Sequence, residues 1–308
     1  MQTSPRAAVD VGSNSVRLLV VDGDGERLTR QMTITRLAAG VDATGHLDDA
    51  ALQRSLETIG GYRDVWREHG VTDRVRIAAT SAVRDAADRD RFFQGVREAT
   101  GVDAEVITGD EEASLAFAGA ARAVEVATPT AVIDIGGGST ELIVGDDAGL
   151  AGSVSLQLGC VRLTERCLLA DPVGAEHLVD AQAVIAGRLD EADARLAEHG
   201  VKLAEAAALI GVAGTATTLA ALHLGLDTYE ESRIHGARIP ADALADLSVR
   251  LVALTSAQRA ELGPMQPGRE DVIHGGALIL AAVLARYGFD EVVVSEADNL
   301  DGLVASLA

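Results

Sequence analysis

The sequence predicts an α/β protein built from two related lobes, and three observations predict it. The chain has 308 residues, which at about 150 residues per domain amounts to two domains. Strand-like and helix-like segments alternate through most of its length, as they do in layered α/β sheets. An apolar hairpin with a small-residue turn occurs twice, once near the start of each half.

The duplication is the most informative of the three. Residues 9–25 read VDVGSNSVRLLVVDGDG and residues 133–149 read IDIGGGSTELIVGDDAG. Superposed without gaps, they match at Asp10/Asp134, Gly12/Gly136, Ser15/Ser139, Leu18/Leu142, Val20/Val144, Asp22/Asp146 and Gly25/Gly149. Each copy is an apolar strand ending in Asp-x-Gly, a turn of Gly, Ser or Asn, and a second apolar strand. Gly and Ser in the turn let backbone N–H groups approach an anion closely, and the hydroxyls add donors. An Asp at the strand end is placed to hold a metal or a water. Two such turns suggest two lobes facing each other across a cleft.

The remaining elements follow in order. Leu47 to Gly70 is an amphipathic helix opened by Asp48 and Asp49 and closed by glycine. Val75 to Thr80 is a short buried strand. It runs into Ser81–Arg84 and a polar helix ending near Thr100. Ala104 to Thr108 is a strand, and Gly109-Asp110-Glu111-Glu112 opens a helix reaching about Val124. Thr128-Pro129 marks the boundary before the second hairpin. Beyond it, 159–169 and 174–199 are helical. Ala208 to Ala213 is a buried strand leading into Gly214-Thr215 and a helix. Arg233 to Ile239 reads as a strand, 241–254 and 269–287 as helices, 291–295 as a strand, and Asn299 opens a last short helix.

Composition narrows the function. Hydrophobic residues make up 48% and charged residues 24%, enough apolar material for sizeable cores and too ordinary a charge content for wholesale disorder. The net charge is −21. A non-specific nucleic-acid binder is basic, so no nucleic-acid partner is expected. No apolar run approaches the roughly 18 residues of a membrane span, and the N-terminus lacks a signal-peptide pattern, so a cytoplasmic protein is expected. Lys202 is the only lysine. Any bound anion must therefore be held by arginine, backbone N–H groups, hydroxyls or metal. Cys160 and Cys167 are too few for a disulfide scaffold and fit no zinc spacing, so both read as small apolar fillers. His235 and His274 lack any ligand-pair spacing and read as structural or surface residues.

Several motifs together resemble the exopolyphosphatase / guanosine pentaphosphate phosphohydrolase family. They are DVGSNSVR at 10–17, ATSAVR at 79–84, GDEEA at 109–113, DIGGGSTE at 134–141, GVAGT at 211–215, REDVI at 269–273, and the ending with Ser295-Glu296 and Asp301-Gly302. Their order and spacing match over nearly the whole chain, in the short two-domain form. The resemblance implies an actin/Hsp70/sugar-kinase-like (ribonuclease H-like) fold, with two α/β lobes around a central cleft. The expected lobes are 1–126 and 127–298, with the last helix, 299–308, packing back on the first by analogy. It also implies a metal-dependent exopolyphosphatase that releases terminal orthophosphate from inorganic polyphosphate, and a homodimer. The alternative is a guanosine pentaphosphate phosphohydrolase. An ATP-dependent kinase and a non-enzymatic nucleotide-binding protein of the same fold rank lower.

Hydrolysis of a phosphoanhydride needs charge neutralisation, a positioned phosphoryl group, a directed water and a proton acceptor. Glu112 matches the family's catalytic glutamate, and a place in the first turn of a helix favours its ionised form. Glu111 remains a helix-terminus charge. Arg84 matches a substrate-site arginine. Asp10, Asp134 and Glu141 are carboxylates expected to face the cleft, and three acids beside a polyanion call for a cation such as Mg²⁺. Glu141 alternatively forms a cross-strand ion pair. Phosphate falls to Ser13, Asn14 and Ser15, to Gly136, Gly137, Gly138, Ser139 and Thr140, and to Gly214 and Thr215 at a helix start. Arg17 either lines the cleft or is a cross-strand partner on the hairpin. Arg269 either contacts substrate or forms a structural ion pair. On so acidic a chain, polyphosphate requires a local positive track.

Overall fold

In the computed structural model, which describes residues 4–121 and 123–307, the chain divides into two compact units. Unit 1 comprises Met1–Leu115 and Asn299–Ala308, and unit 2 comprises Ala116–Asp298.

Unit 1 is built on β1 (Arg6–Val11), β2 (Ser15–Val21), β3 (Arg27–Ile34), α1 (Val41–Thr44), α2 (Asp49–Glu68), β4 (Val75–Ala79), α3 (Ser81–Asp85), α4 (Asp90–Thr100), β5 (Ala104–Val106) and the start of α5 (Gly109–Ala120). The five strands lie in the order β3-β2-β1-β4-β5. The first three form an antiparallel meander, and β4 and β5 add in parallel to β1. The helix α2 starts where the acidic pair predicted it, because Asp48 accepts from Ala51 N at 2.9 Å as N-cap. Leu52, Ile59, Tyr62 and Trp66 form its buried stripe.

Unit 2 follows with β6 (Thr130–Ile135), β7 (Thr140–Asp146), β8 (Gly149–Leu156), α6 (Cys160–Cys167), α7 (Ala175–Glu198), β9 (Ala208–Val212), α8 (Ala213–His223), α9 (Glu231–Ile234), β10 (Arg238–Pro240), α10 (Ala241–Ala253), α11 (Ser256–Ala260), α12 (Ile273–Tyr287) and β11 (Glu291–Val294). Its sheet runs β10-β11-β9-β6-β7-β8. Read from β8, the first five strands repeat the plan of unit 1: an antiparallel meander, then two strands parallel to its first member. This shared plan is the ribonuclease H-like sheet of the actin type. Packing on the unit 2 sheet buries Leu189 and Leu196 of α7, Leu219 of α8, Leu244 and Leu251 of α10, and Leu280 and Leu284 of α12.

The last helix, α13 (Asn299–Ala305), belongs to unit 1 and packs on β1, β2 and β4. Leu300, Leu303 and Val304 join Ala8, Leu19, Val21, Ala78 and Ile107 in one core cluster. Among the described residues, no helix is long and apolar enough to cross a membrane.

Three sequence expectations are corrected. Arg233 to Ile239 is not a strand: α9 occupies 231–234, Gly236 turns the chain at φ 77°, and only Arg238–Pro240 pairs with β11. The helix expected from Arg269 begins at Ile273, because the preceding stretch is a run of turns. The helix expected to reach Val124 ends at Ala120, and Arg122 lies outside the described residues.

Candidate active site

In unit 1 the β1–β2 turn is closed by Gly12 N donating to Ser15 O at 2.9 Å. A Cβ on Gly12 would stand 3.2 Å from that oxygen, tighter than ordinary contact, so the turn wants glycine. Ser13 and Ser81 share a hydroxyl hydrogen bond of 2.8 Å, which ties the turn to the start of α3. Asn14 O accepts from both Thr35 N and Arg36 N at 3.0 Å, and Ser13 O accepts from Ala38 N at 2.8 Å. The buried Oδ1 of Asn14 has no hydrogen-bond partner among the described residues.

One strand position inward, Asp10 lies opposite Arg17 in the ladder. Arg17 Nε and Nη2 both reach Asp10 Oδ2, at 2.9 and 2.5 Å, and Nη2 also donates to Asn299 Oδ1 at 2.5 Å. Of the two readings left open for Arg17, the geometry is that of the cross-strand partner. Asp10, expected at a metal, has its charge met by a guanidinium here.

Arg84 and Glu112 come from different elements and meet. Arg84 sits in the last turn of α3, which follows β4. Glu112 is in the first turn of α5, which follows β5. Because β4 and β5 are parallel neighbours, the segments leaving their C-terminal ends are brought side by side. Arg84 Nη1 donates to Ile107 O at 2.9 Å and stands 3.5 Å from Glu112 Oε2. The other terminal nitrogen, Nη2, is buried with no acceptor among the described residues. Glu112 is 6% exposed. Glu111 points elsewhere, into an ion pair with Arg76 at 2.6 Å.

Unit 2 repeats the hairpin with one change of charge. Gly136 N donates to Ser139 O at 3.0 Å, the counterpart of the bond that closes the first turn. Asp134 lies opposite Glu141 in the ladder, as Asp10 lies opposite Arg17. Both acids are buried, and Ser155 Oγ donates to Glu141 Oε1 at 2.7 Å. Two adjacent buried carboxylates with only oxygen donors suit a hard cation such as Mg²⁺. The residues therefore fit the expected ion in unit 2. Among the described residues, no group of three or more His, Cys, Asp or Glu side chains converges as a metal cage.

The third expected loop follows β9. Thr215 Oγ1 donates to Ile135 O at 2.8 Å, fixing the start of α8 beside the end of β6. The guanidinium of Arg269 lies on Gly214: a Cβ there would fall 2.1 Å from both terminal nitrogens. Arg269 is 8% exposed and donates from Nε to Gln266 Oε1 at 3.1 Å. Nearby, Cys160 is a free, buried thiol whose pKa is pushed up by burial and partly offset by Arg269. Tyr229 donates to Glu296 Oε1 at 2.6 Å, and burial, then Glu296, raises its phenol pKa.

Two residues without glycine's freedom adopt left-handed backbone among the described residues: Arg36 at φ 56° and Ala213 at φ 59°. One adjoins the unit 1 turn and the other opens α8. That conformation costs an L-residue about 1–2 kcal/mol. Sequence reasoning missed both, since neither residue type signals it. It also missed Asn299, Ser155 and Arg162, whose Nε donates to Gly138 O at 2.8 Å.

Comparison with known proteins identifies the family. The sequence pattern of the Ppx/GppA phosphatase family matches residues 19–308. A Mycobacterium tuberculosis protein named Exopolyphosphatase 2 is 41% identical over 98% of both chains. The crystal structure of an exopolyphosphatase-like protein superposes with a TM-score of 0.92 at 35% identity, covering 98% of both chains. The Aquifex aeolicus Ppx/GppA family member superposes at 0.80 with 27% identity, covering 98% of this chain and 97% of its own. The chain belongs to the Ppx/GppA phosphatase family.

Proposed function

We propose that the protein is an exopolyphosphatase that releases orthophosphate from the end of inorganic polyphosphate. The observation that carries this reading is the placement of a buried acid, Glu112, beside a half-buried arginine, Arg84, 3.5 Å apart. A base next to an anion-binding cation is what attack of water on a terminal phosphoryl group requires. The name and full-length identity of the M. tuberculosis relative support polyphosphate as the substrate.

In this mechanism Glu112 takes a proton from water as its oxygen bonds to the terminal phosphorus. The bond to the bridging oxygen breaks, and the shortened chain leaves as a phosphate anion. Arg84 Nη2 donates to a terminal phosphoryl oxygen, which supplies the acceptor that this nitrogen lacks. The N–H groups of the 136–139 loop and of the Gly214-Thr215 turn hold phosphoryl oxygens, and Thr215 keeps that turn in place through Ile135 O. Asp134 and Glu141 would hold Mg²⁺, which when bound neutralises phosphate charge and orients the chain end. Asp10, gripped by Arg17, contributes to the shape of the turn.

The test is phosphate release from polyphosphates of several lengths, guanosine pentaphosphate and ATP, with and without Mg²⁺, by the wild type and Glu112→Gln. Wild-type release from polyphosphate exceeding that from either nucleotide, abolished in Glu112→Gln while polyphosphate still binds, is expected. Faster release from guanosine pentaphosphate would overturn the substrate. Equal rates in both proteins would remove Glu112 from the mechanism.

A further inference from the structure

We propose that Arg162 is a positioning residue that aims the backbone N–H groups of the 136–139 loop. The proposal rests on the reading of that loop as a phosphate cradle and names what holds it in shape. Three successive carbonyls of the loop are tied to the start of α6. Cys160 N donates to Gly136 O at 2.9 Å. Val161 N and Arg162 N both donate to Gly137 O, at 2.9 and 3.0 Å. Arg162 Nε donates to Gly138 O at 2.8 Å.

The consequence follows from peptide geometry. In a planar trans peptide, the C=O of one residue and the N–H of the next point in opposite directions. The only cis bonds among the described residues are at Thr128-Pro129 and Asp171-Pro172, so the loop peptides are trans. Drawing the carbonyls of Gly136, Gly137 and Gly138 toward α6 turns the N–H groups of Gly137, Gly138 and Ser139 away from it. Among the described residues, no acceptor takes up those three N–H groups. Successive N–H groups aimed to one side form a concavity for an anion. The first N–H groups of α6 are themselves spent on loop carbonyls, so α6 serves the loop and is not a second anion site.

Two of the ties come from backbone, and the third depends on side-chain chemistry. The backbone ties require Gly159, where a Cβ would fall 2.4 Å from Gly137 O. The tie to Gly138 is made by Arg162 Nε. Unit 1 carries the same device in another form. There Ser13 and Asn14, which superpose on Gly137 and Gly138, have their carbonyls bound by N–H groups of Ala38, Thr35 and Arg36. In both units the tying segment is the one that follows the third strand of the meander, β3 or β8. The repetition argues that carbonyl tying is part of how each turn works.

The test is a pair of substitutions. Glutamine carries its amide nitrogen at the same place along the side chain as the arginine Nε, so Arg162→Gln keeps an N–H for Gly138 O and removes the charge. Arg162→Met puts a methyl group there. Polyphosphate kinetics should show KM within about twofold of wild type for Arg162→Gln and about tenfold higher for Arg162→Met, the scale of one lost hydrogen bond, with kcat little changed in both. The backbone amide NMR signals of Gly138 and Ser139, recorded without substrate, should shift in Arg162→Met and stay in place in Arg162→Gln. An equal rise in KM for both variants would overturn the proposal and make Arg162 a charge that meets substrate directly. No change in either variant would overturn it too. Should the wild type release no phosphate from polyphosphate, the functional reading fails, and the amide signals still decide whether Arg162 sets the loop.

Discussion

Arg17 stands directly across the β1–β2 ladder from Asp10 and closes on its Oδ2 with two nitrogens, at 2.9 and 2.5 Å. At the matching position of the second hairpin stands Glu141. One residue thus makes the first hairpin charge-balanced and the second doubly acidic, which is why the proposed cation is placed with unit 2. Arg17→Met would leave a buried carboxylate without its guanidinium, at a cost of about 3 kcal/mol. Asp10→Asn combined with Arg17→Met should recover most of that loss, because the buried charge goes with its partner. Denaturant unfolding of the two single variants and the double variant reads the coupling. A double variant as unstable as the sum of the singles would mean that the pair is not coupled.

Arg84 and Glu112 should differ in kinetics. Glu112→Gln removes the proton acceptor and is expected to lower kcat about 10³-fold with KM little changed. Arg84→Met removes a phosphoryl contact together with the bond to Ile107 O, so KM should rise and unfolding stability fall by about 1 kcal/mol. Steady-state kinetics at several polyphosphate concentrations separates the two effects. A pure KM defect in Glu112→Gln would show that the acid binds substrate and does not accept the proton.

What the sequence discloses and what it hides have physical causes. Both hairpins were legible because their apolar strands flank turns of Gly, Ser and Asn. The helix α2 was legible because acidic residues open it and a regular apolar stripe runs along it. β3 was missed: as the sheet edge it is half exposed, and RLTRQMTI has no apolar face to betray it. β8 was missed because GLAGSVSL hides its alternation in small residues. Arg84 and Glu112 belong to two separate motifs, and it is the parallel pairing of β4 with β5 that brings them together. No motif signals Arg162 or Asn299, because each acts through a backbone or side-chain partner that only the fold supplies.

Two glycines with equally tight surroundings should respond differently to alanine. A Cβ on Gly302 would meet Leu115 O at 2.4 Å, and backbone cannot yield without moving α13 against α5. Gly302→Ala should therefore lose about 1–3 kcal/mol of stability. A Cβ on Gly214 would meet the guanidinium of Arg269, the far end of a long side chain and not backbone. Gly214→Ala should stay within about 1 kcal/mol of wild type while displacing Arg269 and raising KM. Thermal melts alongside kinetics distinguish them. A Gly214→Ala protein that is less stable than Gly302→Ala would show that Arg269 is fixed in place.

Buried His274 should make stability depend on pH in a defined direction. Its pKa is lowered from 6.5 to about 4, first by burial and then by the nearby Arg259 cation, with Asp171 and Asp271 opposing. The unfolded chain therefore binds a proton at this residue at a higher pH than the folded chain does. The stabilisation is fully present above pH 6.5 and is lost progressively as pH falls toward about 4. Between pH 7.5 and 5 the loss from this one residue amounts to about 2 kcal/mol. Urea unfolding at those two pH values should show a smaller drop for His274→Gln than for wild type, by about that amount. Identical drops in the two proteins would mean that the ring takes up its proton as readily in the folded chain as in the unfolded one.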